Sequence, residues 1–388
     1  MPKWSNWSGR LTANPTAIHF PRSEADIQRQ VAQALSEGLQ VRVAGATHSH
    51  APLVQNDGLL LDPQGLSGII STDPETQTAW VWAGTRIYAM GLPLNRAGLA
   101  LRNQGDIDQQ AIAGATATGT HGTGATLQNL SASVIGATLV LADGTLITCG
   151  PANDERLWQA SRLHLGAFGV ITQLHLQLRT AYCLQERSWT APLEEVMADS
   201  GNLISGHRHF EFFWYPQTDT ANVKVINECT APSYPLASEG ERQAWSHEVL
   251  PNHRPHRHTE MEYSIPAAAG PACMRDIQHL LNTHFTDVRW PVEYRTLAAD
   301  DVWLSSAYQR DTVTISVHQD IAADDEPYFR ACEEIFLAHQ GRPHWGKVNY
   351  LAGDTLAAMH PKWDEWWQMR NSVDPQGLFL NQYLQGIR

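Results

Sequence analysis

A histidine directly follows a turn that is built from small residues. Residues 41–43 (Val-Arg-Val) are typical of the end of a buried strand, and residues 45–47 (Gly-Ala-Thr) then form the turn. Small side chains allow a ligand to approach the backbone closely, so His48 would be presented to whatever the turn cradles. A neutral imidazole nitrogen is a competent nucleophile or base near pH 7. Taken alone, the pattern is also compatible with a histidine that has only a structural role.

A second stretch of small residues strengthens the hypothesis of a ligand site. Residues 111–124 read AIAGATATGTHGTG, with four glycines, four alanines and four threonines but no charge. A helix of this composition would be poor, because a glycine costs about 1 kcal/mol relative to alanine. We therefore expect a backbone whose N–H groups point at an anion, most naturally a pyrophosphate. The alternative is a seam of small residues between a helix and a sheet. Neither a Rossmann GxGxxG fingerprint nor a P-loop occurs in this stretch.

Composition limits the classes of function. A chain of 388 residues is expected to form two domains, and its net charge of −13 argues against nucleic-acid binding. No apolar run approaches the ~20 residues that span a bilayer, and the N-terminus lacks the apolar core of a secretory signal. The protein is therefore expected in the cytoplasm, away from membranes. The five scattered cysteines form no CxxC pair, and the histidine-rich run 253–258 is interpreted as a solvated loop, so no metal is expected.

Helices and strands are mixed along the chain, as expected for an α+β protein. Up to residue 180 the hydrophobic pattern predicts strands at 39–44, 59–61, 79–83, 134–141, 146–149 and 172–178, and helices at 23–34, 85–97 and 158–163. Beyond residue 184 it predicts an antiparallel sheet with strands at 211–215, 221–225, 292–296 and 313–318, helices at 274–284 and 326–340, and a long loop at 230–257.

Six segments together resemble the vanillyl-alcohol-oxidase type of flavoenzyme, and within it the aldonolactone and alditol oxidases. They are AGATHSH (44–50), GATATGTHGTG (114–124), ASRLHLGAFGVIT (160–172), VEYRTLAADDVWLSSAYQRDT (292–312), GRPHWGK (341–347) and DPQGLFLNQYL (374–384). The resemblance covers essentially the whole chain, and the tail is most similar to the gulonolactone-oxidase branch. It implies an α+β, two-domain flavoenzyme. Residues 1–180 would form the FAD-binding domain, 181–340 a substrate cap with an antiparallel sheet, and 341–388 a segment that returns to the FAD domain.

The resemblance also implies how FAD is held. In such enzymes the His-Ser pair after the small-residue turn carries flavin covalently on the histidine ring, so His48 is the expected attachment point. His50 would line the pocket without forming the bond, and His121 would either contact a phosphate or simply pack. The residues expected to bind FAD are Val43, Ala44, Gly45, Ala46, Thr47, His48, Ser49, Gly105, Asp106, Ala111, Gly114, Ala115, Thr116, Ala117, Thr118, His121, Gly122, Gly169 and Ile171.

The catalytic residues implied by the resemblance are Glu293, Arg295 and Lys347. Glu293 and Arg295 are two positions apart on a strand and therefore point to one face, where they could polarise a C–O–H group. Without the resemblance, a surface ion pair worth under 1 kcal/mol would be the simpler interpretation.

Three positions depart from what the resemblance leads us to expect on the substrate side. Asp106, Ser316 and His318 are expected to contact the substrate, and they place its identity in doubt. The added acid, Asp106, and the added imidazole, His318, suit a larger or nitrogen-bearing sugar derivative. Alternatively, these two side chains face each other and have no role in binding.

The resulting hypothesis is an FAD-dependent oxidase of a polyhydroxylated sugar derivative. A hydride would pass from a C–H(OH) carbon to flavin N5, and O2 would reoxidise the flavin to give H2O2. An aldonolactone similar to gulonolactone is the preferred substrate. An alditol, or the 5′-hydroxyl of a nucleoside, is the alternative.

The acceptor is inferred from Gly105. Oxidases of the family tend to carry glycine at this position and dehydrogenases alanine, so Gly105 predicts O2 as the acceptor. Its alternative role is a turn with positive φ. The competing class of protein is a flavin- or nucleotide-binding protein without catalytic activity.

Overall fold

The computed structural model describes residues 2–388 as a mixture of helices and mainly antiparallel sheets. In this range the strands are β1 (Trp4–Ser5), β2 (Thr12–Ala13), β3 (Ala17–His19), β4 (Val41–Val43), β5 (Leu59–Leu61), β6 (Ile69–Asp73), β7 (Thr78–Trp82), β8 (Leu99–Ala100), β9 (Val134–Val140), β10 (Leu146–Cys149), β11 (Val170–Gln177), β12 (Arg179–Thr180), β13 (Cys183–Pro192), β14 (His209–Tyr215), β15 (Thr220–Cys229), β16 (Gln243–Trp245), β17 (His258–Pro266), β18 (Val292–Leu297), β19 (Thr312–Asp320) and β20 (Arg342–Pro343).

The α-helices connect these strands and close the chain. They are α1 (Glu24–Ser36), α2 (Ile87–Arg96), α3 (Ile112–Ala117), α4 (Glu155–Ser161), α5 (Leu193–Gly206), α6 (Ser246–Val249), α7 (Gly270–Thr283), α8 (Glu326–Ala338), α9 (Gly353–Met359), α10 (Trp363–Val373) and α11 (Gln382–Gly386). Short 3-10 turns lie at Pro63–Gly65, Leu130–Ser133 and Ala267–Ala269. None of the helices described between residues 2 and 388 combines the length and apolar character needed to cross a bilayer.

The first part of the chain builds two larger sheets and two small two-stranded ones, and the larger sheets contain the predicted strands together with the unpredicted β3 and β6. A parallel sheet has the order β3-β5-β4, and a five-stranded antiparallel sheet has the order β10-β9-β11-β7-β6. Helix α1 begins where Ser23 accepts a hydrogen bond from the Asp26 N–H, and it buries Ile27 and Val31. The strand β4 ends at the small-residue turn, which places that turn at the carboxyl edge of the parallel sheet.

The second part builds an eight-stranded sheet with the order β16-β13-β15-β14-β18-β19-β17-β20. Side chains alternate between its two faces, because successive residues of a strand point to opposite sides. One face is apolar, with Phe212, Tyr294 and Ile315 among its buried residues, and it packs against α7 and α8. The opposite face carries the charged residues of β14, β15, β17, β18 and β19.

The C-terminal helices pack against the first part of the chain. Trp363, Trp366 and Trp367 of α10 join the hydrophobic cluster that contains Trp158 and Phe168. Val302 and Leu304 also join this cluster. The division of the chain at residues 180 and 340 stays a prediction.

Two local predictions were wrong, and the strand β17 was missed. Residues 112–117 form α3 despite their glycine, because Ile112 and Ala115 are buried in the core and tertiary packing outweighs the weak propensity. The predicted loop at 230–257 contains β16 and α6. The strand β17, which begins at His258, was not predicted, although its residues alternate between polar and apolar.

Candidate active site

The charged face of the large sheet forms one wall of a cavity of about 860 Å³. Strand register sets its side chains opposite one another: Glu211 pairs with Lys224 on one side and with Arg295 on the other. On the neighbouring strands, Glu260 lies opposite His318, across the β17–β19 pair. Long-range pairing of five strands therefore brings together groups that are far apart in sequence.

Glu293 and Arg295 lie in the centre of this wall and are buried. The Arg295 guanidinium lies 2.8 Å from a Glu262 carboxylate oxygen and 3.3 Å from one of Glu293. Glu293 is 6% exposed and Arg295 8% exposed, so the interpretation as a surface ion pair is wrong. The prediction that both side chains point to one face is confirmed, since both line the cavity.

Lys347 enters the same wall from the segment that follows β20. Its ammonium group forms an ion pair with Glu260. The Glu260 carboxylate also lies 3.5 Å from His258 Nε2 and 3.7 Å from His318 Nε2. The neighbouring Trp345 is a buried packing residue whose indole N–H donates to the Leu304 carbonyl.

The surroundings of the carboxyl groups in this wall shift their pKa values in opposite directions. Burial raises the pKa of Glu293 to about 8; Arg295 opposes this shift, and the nearby acids Glu211 and Asp106 add to it. Burial also acts on Glu260, yet Lys347 and the adjoining histidines hold its pKa well below its usual range. One acid is therefore ready to exchange a proton near neutral pH while its neighbour stays ionised.

Asp106 belongs to a second ionic group at the same cavity. Its carboxylate lies 3.0 Å from the Arg254 guanidinium and 3.7 Å from the Lys224 ammonium. Burial would raise the pKa of Asp106, but Lys224 and Arg254 lower it to about 2. The expectation that Asp106 and His318 face each other is wrong, because His318 contacts Glu260 instead.

The loop at 45–49 forms the opposite part of the lining. Its backbone is held by the N-terminal arm, since the Thr47 carbonyl accepts a hydrogen bond from the Trp7 N–H and the Ser49 carbonyl one from Asn6. Thr47 has a positive φ of 59°. Within residues 2–388, the backbone N–H groups of residues 45–49 have no hydrogen-bond partner. This arrangement of unpaired amides suits a diphosphate.

The stretch at 111–124 offers fewer free backbone N–H groups to a ligand than predicted. The N–H groups of Ile112 and Ala113 donate to the carbonyls of Thr85 and Ala83, and those of Ala115 and Thr120 donate within the stretch. The expected cradle of inward N–H groups is therefore wrong for most of it. Unpaired amides run along the whole first small-residue segment. In the second segment, within residues 2–388, the N–H groups of Gly114, His121 and Gly122 also have no hydrogen-bond partner.

Most residues expected to bind FAD line the cavity. They are Val43, Gly45, Ala46, Thr47, His48, Ser49, Gly105, Asp106, Ala111, Gly114, Ala117, Thr118, His121, Gly169 and Ile171. Gly169 has φ +144°, and a Cβ there would lie 2.4 Å from the Val140 carbonyl oxygen, so the position requires glycine.

Four of the expected FAD-binding residues lie outside the cavity lining, and each has a packing role. Ala44 packs against Trp4 and Leu60, and Ala115 and Thr116 are buried in or beside the core. Gly122 packs against the backbone at Gln104, because a Cβ there would lie 2.2 Å from the Gln104 carbonyl oxygen.

His50 and Ser316 differ from their expected roles, whereas the contacts of His121 fit one of the two roles expected for it. His50 lines a separate, smaller cavity. His121 lines the cavity, but both of its ring nitrogens contact protein groups, Nε2 at 3.1 Å from Glu262 and Nδ1 at 2.8 Å from the Gly122 carbonyl, which favours the packing role. Ser316 lies between Glu262 and Glu293 in the strand register and does not line the cavity.

Several residues of the wall were missed by sequence reasoning. They are Glu211, Lys224, Arg254, His258, Glu260, Glu262 and His344. The alternation of Glu260 and Glu262 with Met261 and Tyr263 was the available signal for β17. The run 253–258 is exposed at four of its six positions, as predicted for a solvated loop, but Arg254 and His258 are partly buried and reach the cavity. That the site holds no metal stays a prediction.

Comparison with known proteins assigns the chain to a family. A profile described as D-arabinono-1,4-lactone oxidase matches residues 174–246 and 233–387, and one described as FAD binding domain matches residues 15–150. L-gulono-1,4-lactone dehydrogenase of Mycobacterium tuberculosis is 34% identical over 426 residues, which span 100% of this chain and 99% of the relative. The chain belongs to the D-arabinono-1,4-lactone oxidase family.

Further comparisons agree with this family. Alditol oxidase of a Streptomyces species is 29% identical and spans 99% of this chain and 98% of the relative. The structure of cholesterol oxidase from Brevibacterium sterolicum superimposes with a TM-score of 0.88 at 18% identity, covering 99% of this chain and 96% of the other, which shows the shared fold alone. This member of the lactone oxidase family is thus a two-domain, FAD-dependent oxidoreductase that acts on CH–OH donors, as its sequence predicted.

The residues of this family member fit FAD. The unpaired amides of residues 45–49 lie in the cavity lining together with Arg42. Arg42 donates hydrogen bonds to the carbonyls of Leu53, Leu165, Gly166 and Phe379, and no carboxylate within residues 2–388 forms an ion pair with it. A buried cation beside free N–H groups complements the diphosphate of the cofactor.

Proposed function

We propose that the chain oxidises a neutral sugar lactone, with O2 as the acceptor and with FAD joined covalently to His48. The observation that supports this proposal is that the loop around His48 and the buried Glu293, Arg295 and Lys347 line one cavity. The cofactor side corresponds to residues 1–180 and the substrate side to residues 181–340, with residues 341–388 contributing Lys347. When bound, FAD supplies the hydride acceptor.

The side chains of the wall have distinct roles in this proposal. Arg295 and Lys347 place positive charge where the hydroxyl oxygen becomes negative as its proton leaves. Glu293 takes that proton, because burial keeps its pKa near the working pH and makes it a better base than Glu260.

A neutral substrate follows from the pairing of charges. Each of the four cations on the substrate side already contacts a carboxylate: Lys224 with Glu211, Arg254 with Asp106, Arg295 with Glu262, and Lys347 with Glu260. Glu293 and Glu239 add further acid to the lining. An anionic substrate would therefore meet excess negative charge, and desolvating it would not be compensated.

The experiment compares a lactone with its own hydrolysis product. Gulono-1,4-lactone should bleach the flavin under anaerobic conditions and produce H2O2 in air. The open-chain gulonate should show a kcat/KM at least about 10-fold lower, because like charges in a buried site cost more than 1.4 kcal/mol. Equal rates for lactone and gulonate, or no bleaching by any lactone, would overturn the proposal.

A nucleoside oxidised at its 5′-hydroxyl is the second candidate, and one observation favours it. Four aromatic side chains line the substrate side of the cavity: Trp189, Phe213, Tyr215 and Trp290. A flat base stacked on an aromatic ring gains about 1–3 kcal/mol. If a nucleoside is the substrate, Trp290→Ala should lower its kcat/KM by roughly 10-fold or more while leaving a lactone or an alditol almost unaffected.

The pKa of Glu293 predicts a specific pH dependence. Below its pKa of about 8 this carboxyl is protonated and cannot accept a proton, so flavin reduction should accelerate as pH rises towards 8 and level off above it. In Glu293→Gln the rate should be low and flat across this range. Stopped-flow measurement of flavin reduction at saturating substrate checks the prediction. A wild-type profile that is flat between pH 6 and 9 would contradict it.

Gly105 predicts that the reduced flavin reacts readily with O2, and the surroundings of this glycine suggest how to test it. Its φ is not positive, so the alternative role in a left-handed turn is wrong. A Cβ at this position would lie 2.9 Å from the His121 carbonyl oxygen, so alanine must also shift the local backbone. Gly105→Ala should slow reoxidation of the flavin by O2 more than it slows reduction by substrate.

A matched glycine serves as the control for Gly105. Gly201 lies on helix α5, and a Cβ there meets no atom within 4 Å, so Gly201→Ala should leave both half-reactions unchanged. Stopped-flow mixing separates the two half-reactions. An unchanged oxygen rate in Gly105→Ala would contradict the role assigned to Gly105.

A further inference from the structure

A second cavity, of about 260 Å³, lies behind the active-site wall. His50 and Thr259 line it on the inner side, and Arg10 and Asp325 line it towards the surface. Arg10 and Asp325 form an ion pair at 2.8 Å, and the Arg10 side chain is 40% exposed, so the cavity reaches solvent there. At roughly 30 Å³ per molecule, this volume has room for several waters.

Buried polar atoms without partners line this cavity. Within residues 2–388, His50 Nδ1, the Tyr383 hydroxyl and both amide atoms of Asn349 are buried and have no partner in hydrogen-bond geometry, although Tyr383 and Asn349 lie near each other. Leaving such groups unpaired costs about 1–3 kcal/mol each. Groups of this kind in a cavity of sufficient size are normally satisfied by ordered water.

One layer of residues separates the two cavities. Glu260 and Lys347 line the active-site cavity, whereas their neighbours Thr259 and Val348 line the second one. His50 Nε2 lies 4.0 Å from a Glu260 carboxylate oxygen, while His50 Nδ1 is buried without a hydrogen-bond partner. Carboxylate oxygens of Glu260 and Glu293 and a ring nitrogen of His318 lie within 4.8 Å of one another. A row of proton-carrying groups, with gaps of up to 4.8 Å and no direct hydrogen bond between Glu293, Glu260 and His50, thus leads from the active site to the second cavity.

We propose that the second cavity holds a water chain through which the proton of the substrate hydroxyl leaves the active site, with His50 as the connecting residue. The proposal rests on the alcohol oxidation proposed above. The hydroxyl O–H bond breaks and its proton moves to the Glu293 carboxylate. Glu260, which is ionised at rest, carries the proton only in transit. His50 accepts it from Glu260 at Nε2 and releases one from Nδ1 to water. The proton reaches bulk solvent beside Arg10 and Asp325, and the hydride of the same carbon leaves to the cofactor, so charge and atoms balance.

The test separates proton release from flavin reduction. During an anaerobic single turnover, flavin absorbance reports reduction of the flavin, and a pH-indicator dye in the same solution reports the release of the proton. In the wild type the two signals should rise together. In Asn349→Leu and Tyr383→Phe, which remove unpaired polar groups from the water chain, flavin reduction should keep its rate while proton release lags by roughly 10-fold, the loss expected when one hydrogen-bonding group of about 1.4 kcal/mol is removed.

A matched control lies in the same lining. Val348 carries no side-chain polar atom, so Val348→Ala should change neither signal. Proton release that keeps pace with flavin reduction in both polar variants would overturn the proposal, as would slower reoxidation by O2 with normal proton release, because the cavity would then serve oxygen.

A crystal structure of the holoenzyme gives a measurement that does not depend on turnover. Ordered waters should bridge His50 Nδ1, Asn349 and the Tyr383 hydroxyl, and a dry cavity would overturn the proposal. If no lactone reduces the flavin, the proposed function fails, whereas this crystallographic result still decides the fate of the water chain.

Discussion

The flavin of the wild-type protein should stay with the protein after acid precipitation, whereas His48→Ala should release all of it. His48 lines the main cavity. Burial, together with the charges of Lys347 and Arg86, lowers the pKa of His48 to about 4. The ring is therefore neutral at physiological pH, and its nitrogen lone pair is free to form the bond. Absorbance of the flavin in pellet and supernatant measures the outcome.

The second histidine of the segment provides the matched control. His50 lies two residues from His48 but lines the separate cavity, so His50→Ala should keep its flavin in the acid pellet. The unpaired amides of residues 45–49 remain in the His48→Ala variant, which should therefore still bind FAD non-covalently. Wild-type flavin that washes free in acid, or an acid-stable flavin in His48→Ala, would show that the attachment point is assigned wrongly.

Arg295→Met and Lys347→Met should retain FAD and lose about 100-fold in kcat, because each removes a cation directed at developing negative charge, an effect of about 3 kcal/mol. The Arg295 variant also leaves Glu262 and Glu293 without their shared cation. Its Tm should therefore fall as well, since breaking a buried ion pair typically costs 3–5 kcal/mol. Steady-state kinetics normalised to flavin content measure the loss of turnover.

Two further variants separate the effect of the lost positive charge on turnover from its effect on stability. Arg295→Lys keeps the positive charge and should recover part of the stability but less of the rate, since one guanidinium nitrogen contacts both carboxylates and the shorter lysine side chain places its ammonium elsewhere. Arg330→Met removes an exposed cation that pairs with Glu326 on α8, and it should leave kcat and Tm unchanged. Near-normal turnover in both the Arg295→Met and Lys347→Met variants would place the reacting carbon elsewhere.

Local patterns in the chain were sufficient for much of the active site. The small residues at 45–47 ahead of His48 indicated a ligand turn, and the two-residue spacing of Glu293 and Arg295 placed them on one face. Each of these inferences depends only on residues adjacent in sequence, where strand alternation and side-chain size act directly. The same local reasoning failed for α3, because the burial of Ile112 and Ala115 in the core outweighs the poor helix propensity of the segment.

The sequence by itself, through its resemblance to a family, was enough to propose His48 for flavin attachment and Arg295 and Lys347 for polarising a hydroxyl group. Only the tertiary structure decided which acids those cations meet, where the unpaired amides lie, and that His50 faces a second cavity. Glu260 and Arg295 lie on strands separated by β19, and their environment depends on the register of three strands. Register and burial are properties of long-range pairing, and the pKa of Glu293 follows from charges that this pairing collects from several strands.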